Sequence, residues 1–136
     1  MTDPSPPADG SQAVLFERSE STPVGHYTVS VDATYMARVQ FFGEGTTQGA
    51  HDFIAAIEDA IRLLGTENPV RAQVDLTQLR GVNMRVQLIL GRWLFGRKSL
   101  FAGIAVFGGR PLEMRVARAA MRIAGVHDVA FFPDGE

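Results

Sequence analysis

The 136 residues, 46% hydrophobic and 21% charged, suit one domain large enough to bury a core. The absence of cysteine excludes disulfides and thiolate metal sites, and no apolar run reaches the roughly 20 residues of a membrane helix. The net charge of −2 conceals a split: residues 1–68 carry ten acids and three arginines, residues 69–136 ten basic residues and five acids. That asymmetry marks either an anionic partner or a set of solvated helix faces. The polar, acidic start has neither the basic residues nor the apolar stretch of a signal peptide, so a cytoplasmic protein is expected.

Residues 1–12, rich in Pro, Asp, Ser and Gly, are expected to form a disordered leader, leaving 13–136 as a single domain. Three strands follow, at 13–18, 26–31 and 35–42, separated by turn-prone segments. In the third, Tyr35, Ala37, Val39 and Phe41 share one side. A helix is expected over 47–64, because Ala50, Phe53, Ile57, Ala60, Ile61 and Leu64 recur at helical spacing. Thr46 or Thr47 caps its start and Gly65 ends it.

A fourth strand is expected over 70–76, ending at Asp75 in a polar turn that leads into a second helix. The fifth, over 100–107, is almost wholly apolar and reads as central and covered on both faces. Pro111 opens a third helix that Gly125 stops, and a closing strand occupies 128–132. Strands first, then alternating helices and strands, predict an α/β fold: a mixed sheet with antiparallel strands at its N-terminal end and parallel strands after them.

The second helix, which runs to about residue 98, carries two apolar stripes. Val86, Ile89, Leu90, Trp93 and Leu94 form the expected core face; Met84, Leu88, Gly91 and Phe95 lie on the far side, flanked by Arg85 and Arg92. A helix on a sheet needs one apolar face. The second must meet a neighbouring helix, another chain or a small apolar ligand. The third helix directs Leu112, Val116, Ala119, Ala120 and Ile123 to the core, and Arg115, Arg118 and Arg122 outward. Without an aromatic stacking platform, that arginine row is read as a solvated face rather than a nucleic-acid site.

Catalytic patterns are weak. The segment 43–49 has one residue too many for a G-x-G-x-x-G fingerprint and lacks the lysine of a phosphate loop. His26, His51 and His127 have no metal-ligand spacing, and His51-Asp52 has no nucleophile to serve. Asp75 is the best single polar candidate, expected at a strand end where open α/β sheets present ligands. The expectation is a non-catalytic protein with no cofactor and no metal.

The strand followed by Gly43 and an Ala50-containing helix, the Val74-Asp75-Leu76-Thr77 segment, and Ile104-Ala105-Val106-Phe107 carry a resemblance. Over about 35–132 the chain resembles the STAS family, whose members include anti-sigma-factor antagonists, and especially its SpoIIAA-like branch. The resemblance implies a STAS/SpoIIAA-like fold and a regulatory signalling role through protein–protein interaction. In antagonists of this family an Asp-Ser pair opens the helix after the fourth strand, and the serine is phosphorylated. Here those positions fall on Asn83 and Met84, so the usual switch is missing.

The expected partner surface is Thr77, Asn83, Met84, Arg85, Leu88, Arg92 and Phe95, receiving another protein or a second copy of the chain. The alternative is a small apolar, lipid-like ligand, as in some SpoIIAA-like relatives. Its mark would be an enclosed apolar pocket near Trp93 and Phe101. Neither nucleic-acid binding nor stable membrane insertion is expected.

Overall fold

The computed structural model describes residues 13–21 and 25–133; the expected leader lies outside them. The elements are β1 (Val14–Ser21), β2 (Gly25–Asp32), β3 (Met36–Gly45), α1 (Thr47–Leu64), β4 (Val70–Val82), α2 (Arg85–Phe95), β5 (Phe101–Phe107), α3 (Pro111–Ala124) and β6 (Val129–Phe132). A short 3₁₀ turn at Lys98–Leu100 leads from α2 to β5. The strands form one sheet in the order β1-β2-β3-β4-β5-β6. β1, β2 and β3 pair antiparallel, whereas β3 to β6 pair parallel.

Each crossover from β3 onward moves one strand in the same direction. Right-handed connections therefore place all three helices on one face of the sheet. The core agrees: Val29, Ala37, Val39, Ala72, Leu76, Ile104 and Val106 from the strands join Phe53, Ile57 and Ala60 of α1, Leu94 of α2 and Met114 of α3. The molecule has two layers. β5 is internal, but Ile104 and Val106 are buried while Gly103, Ala105 and Phe107 are half-buried, so helices cover it on one face rather than on both. Gly103, Ala105 and Phe107 on the bare side make that strand read as apolar throughout.

α1 and α3 begin and end where their caps predict. The Thr46 hydroxyl accepts from the Gly49 N–H at 2.9 Å, and Pro111 and Gly125 bracket α3. The faces of α3 differ from the expectation. Met114 is core, whereas Leu112 and Ile123 stay 44% and 37% exposed, because this helix packs on both the sheet and α2.

The fourth strand does not end in a turn at Asp75. It continues to Val82, because β3 is long enough to pair with it throughout: Gln40↔Asp75, Phe42↔Gln78, Gly43↔Leu79 and Gly45↔Val82. Two irregularities each insert one extra β4 residue. At the first, the Thr77 N–H and hydroxyl both donate to Asp75 Oδ1, at 2.9 and 2.5 Å. At the second, Gly81 takes φ +93°, a conformation most side chains avoid. The shift lets both Leu76 and Leu79 reach the core, which breaks the period-two pattern a sequence reading relies on. Tyr35, expected within β3, instead adopts φ 62° in the turn before it.

Candidate functional site

Parallel strands leave their C-terminal ends facing the helix N-termini, and here the two layers do not close fully. Val74 lies in the middle of the sheet, paired with Val39 and Val106, on the side where Ala72 and Leu76 are buried; it is nevertheless only half-buried. Phe41, Leu90, Trp93, Phe101, Ala117 and Met121 also belong to the core yet retain exposed surface. All of them line a cavity of about 480 Å³ between the sheet and the three helices. That volume lies within the roughly 300–1,000 Å³ range of small-molecule sites.

The exposed members of the lining, Glu20, Glu44 and Gln48, place the mouth beside the ends of β1 and β3 and the start of α1. Just inside, the Tyr27 hydroxyl donates to Glu20 Oε1 at 3.0 Å and lies 3.1 Å from the Asp52 carbonyl. Burial and the neighbouring Glu20 push this phenol above its ordinary value, so it remains a donor.

Trp93 and Phe101 mark the opposite end. Glu58 of α1 holds α2 there, accepting from Trp93 Nε1 at 2.7 Å and from Arg97 Nε and Nη2 at 2.8 and 2.5 Å. Those bonds, Arg97 foremost, hold the Glu58 carboxyl below the usual carboxylate range.

Among the described residues, Glu113 is the one buried charged side chain in the lining, at 1% exposure. Its Oε2 accepts from the Gly81 N–H at 2.7 Å and from Arg110 Nη2 at 2.8 Å. Its Oε1 has no hydrogen-bond partner among the described residues and no solvent-accessible surface. Burial pushes this carboxyl up, but the bonds from Arg110 and the backbone outweigh it and keep the pKa below the ordinary value. Reasoning from the sequence passed over Glu113. The signal was available: it shares a helical stripe with the buried Val116, Ala120 and Ala124, so a charge stands on an apolar face.

The expected partner surface is distributed along the chain as follows. Met84, Leu88 and Phe95 are 49%, 45% and 60% exposed, with Arg85 and Arg92 exposed beside them and without ion pairs among the described residues. Lys98 Nζ lies 4.6 Å from the centre of the Phe95 ring. Gly91 does not belong to the open stripe, because α3 covers it.

Asn83 is exposed, and its Oδ1 accepts from the Arg85 N–H at 2.8 Å. The next N–H groups, of Val86 and Gln87, bond to the Asn83 and Met84 carbonyls at 2.9 and 3.3 Å. The entrance of α2 thus satisfies its own donors instead of presenting them to an anion. Thr77 lies in β4 rather than in a loop before α2, with its hydroxyl committed to Asp75. Asp75 also accepts from Gln40 Nε2 at 3.1 Å, on the sheet face that carries no helix.

Among the described residues, no group of three or more His, Asp or Glu is placed to hold a metal ion, and no helix is long and apolar enough to cross a membrane. No family model and no curated protein matches the chain. Among solved structures, an uncharacterized protein of the DUF3478 family with a SpoIIAA-like fold, from Shewanella loihica PV-4, is similar with a TM-score of 0.61 at 18% identity, over 85% of this chain and 92% of that one. Identity at that level speaks for the fold alone. The antiparallel β1-β2-β3 start, the parallel β3 to β6 continuation and the three helices on one face agree with it: the chain has the SpoIIAA-like fold that its sequence resemblance implies.

Proposed function

We propose that the protein is a non-catalytic binding module whose interior receives a small apolar ligand. The cavity between the sheet and the helices carries this reading, because a void of that volume and lining is costly to leave empty. An apolar lining that faces water forgoes the burial its side chains would otherwise gain, and a bound apolar chain supplies that burial. Water gains little there, since it needs two to four polar partners and the deep lining supplies few.

Trp93 is the only tryptophan and lines the cavity, so its emission is the natural readout. Methyl dodecanoate is expected to shift Trp93 fluorescence saturably and to raise the melting temperature. Val74→Phe, which places a ring inside the cavity, is expected to weaken that response without lowering stability. Native mass spectrometry of the purified protein is expected to show a co-purifying small molecule. An unchanged Trp93 spectrum together with an empty protein in the mass spectrometer would remove the reading.

A second reading has its own observation. Met84, Leu88 and Phe95 are exposed along one side of α2, beside Arg85 and Arg92, which form no ion pair among the described residues. Truncating or charging such large apolar anchors is what disrupts protein interfaces. On this reading α2 docks a second copy of the chain or an acidic-rimmed partner protein, as a regulatory module would. The double variant Met84→Asp, Leu88→Asp is expected to abolish association measured by light scattering while the circular dichroism stays unchanged. Persistence of the complex in that variant would rule the surface out.

A further inference from the structure

Charge is segregated along this chain. Between Asp75 and Asp128 the sequence holds nine basic residues and a single acid, Glu113, which is buried. Arg97 and Arg110 are taken by Glu58 and Glu113. Arg85 and Arg92 on α2, Lys98 just beyond it, and Arg115 and Arg122 on α3 are exposed and form no ion pair among the described residues.

Apolar side chains separate these cations into two rows. The helices meet where Gly91 faces Ile123 and Ala120. Leu88 and Phe95 stand one turn to either side of Gly91, and Met84 a turn further back. On α3, Leu112 lies about three turns before Ile123 and shares its side. All five apolar side chains are exposed. Successive residues step about 100° around a helix, which puts Arg85 and Arg92 beyond this strip on the side away from α3. The same step puts Arg115 and Arg122 beyond it on the side away from α2. Lys98 Nζ lies over the Phe95 ring at one end.

The cations call for an anionic occupant, and the strip between them decides its class. A Cβ on Gly91 would already lie 2.7 Å from the Ile123 side chain, so the seam there is closed to a partner helix. A nucleic acid would set its phosphates against the apolar strip. A bilayer satisfies both parts, with anionic headgroups for the margins and acyl chains for the strip. Going beyond the two readings above, we infer that the protein adsorbs to an anionic lipid surface through the α2–α3 face. Met84, Leu88, Phe95, Leu112 and Ile123 enter the boundary between headgroups and acyl chains, and the flanking cations stay among the headgroups.

The test is co-sedimentation of the full chain with phosphatidylcholine vesicles, plain or containing phosphatidylglycerol at about a third of the lipid. The mixed vesicles are expected to bind at least about tenfold more tightly, and the difference to fade as salt rises from about 0.05 to about 0.5 M. Arg92→Gln with Arg122→Gln is expected to weaken that binding at least about tenfold, since each cation near such a surface contributes about fivefold. Phe95→Gln is expected to weaken it at least about threefold and to leave the salt dependence in place. Equal binding to both kinds of vesicle would overturn the inference, as would binding that neither variant alters. Duplex DNA held as tightly as the mixed vesicles, with Phe95→Gln affecting neither, would give the face to nucleic acid instead. A chain that self-associates through Met84 and Leu88 and ignores the mixed vesicles would give it to a second copy. The wild-type comparison decides the matter even if a variant does not fold. None of the substituted residues lines the cavity, so the Trp93 response to methyl dodecanoate is expected to persist in both variants, and failure of either reading leaves the other standing.

Discussion

Asp32, 7% exposed at the end of β2, organises the turn into β3. Its Oδ1 accepts from the Thr34 N–H and hydroxyl and from the Met36 N–H, and its Oδ2 from Arg38 Nη1 at 2.8 Å. Burial raises its pKa, but these bonds more than offset that and bring it down to about 2. Because the folded value lies below the unfolded value of about 3.9, the stabilisation is complete above about pH 4 and drains away as pH falls towards about 2. Asp32→Asn is expected to lose on the order of 2 kcal/mol at pH 7 and to flatten the acid limb of stability, as read by urea unfolding across pH. Asp75 and Thr77 repeat this local arrangement with the same two bonds, and there it shapes a strand irregularity instead of a turn. A sequence shows an Asp-x-Thr pair in both places and cannot say which outcome follows, because β3 decides it by pairing alongside.

At the scale of elements, helices with strong caps were fully legible. Thr46 with Gly65, and Pro111 with Gly125, bracket α1 and α3 at their observed ends. The second half of β4 was not legible, since polar Thr77, Gln78 and Arg80 imitate a turn and two inserted residues break the alternation. Gly91 shows how packing overrides propensity. A Cβ there would lie 2.7 Å from the Ile123 Cβ and 3.0 Å from the Ala120 carbonyl oxygen, so α2 and α3 approach each other over this residue. Helix propensity alone favours Gly91→Ala by about 1 kcal/mol in an exposed site. The crowding reverses that sign, and a net destabilisation of about 1–3 kcal/mol is expected by urea denaturation. The expected surplus stripe on α2 therefore divides, with Gly91 serving its own domain and Met84, Leu88 and Phe95 left open.

At the scale of the whole molecule, the layer order was legible, because strands followed by alternating helices and strands admit few topologies. The cavity was not. Its lining residues carry the same apolar periodicity as a filled core, and a void depends on how far apart two layers settle. Trp93 and Phe101 could be named as its neighbourhood, whereas Glu113 required knowing that Gly81 and Arg110 satisfy only one of its oxygens.

The mismatch in length between β4 and β5 has a further consequence. β5 pairs with β4 only as far as Asp75↔Phe107, whereas β3 accompanies it to Val82. One strand thus has two neighbours along its first half and one along its second. Deuterium uptake should consequently divide within β4: amides between Ala72 and Asp75 should be among the slowest in the protein, and those beyond Leu76 that face away from β3 should exchange much sooner. The Gly81 amide, donated to Glu113, should stand out as slow within that faster stretch and lose its protection in Glu113→Ala. Uniform protection along β4, read by residue-resolved exchange, would contradict the overhang.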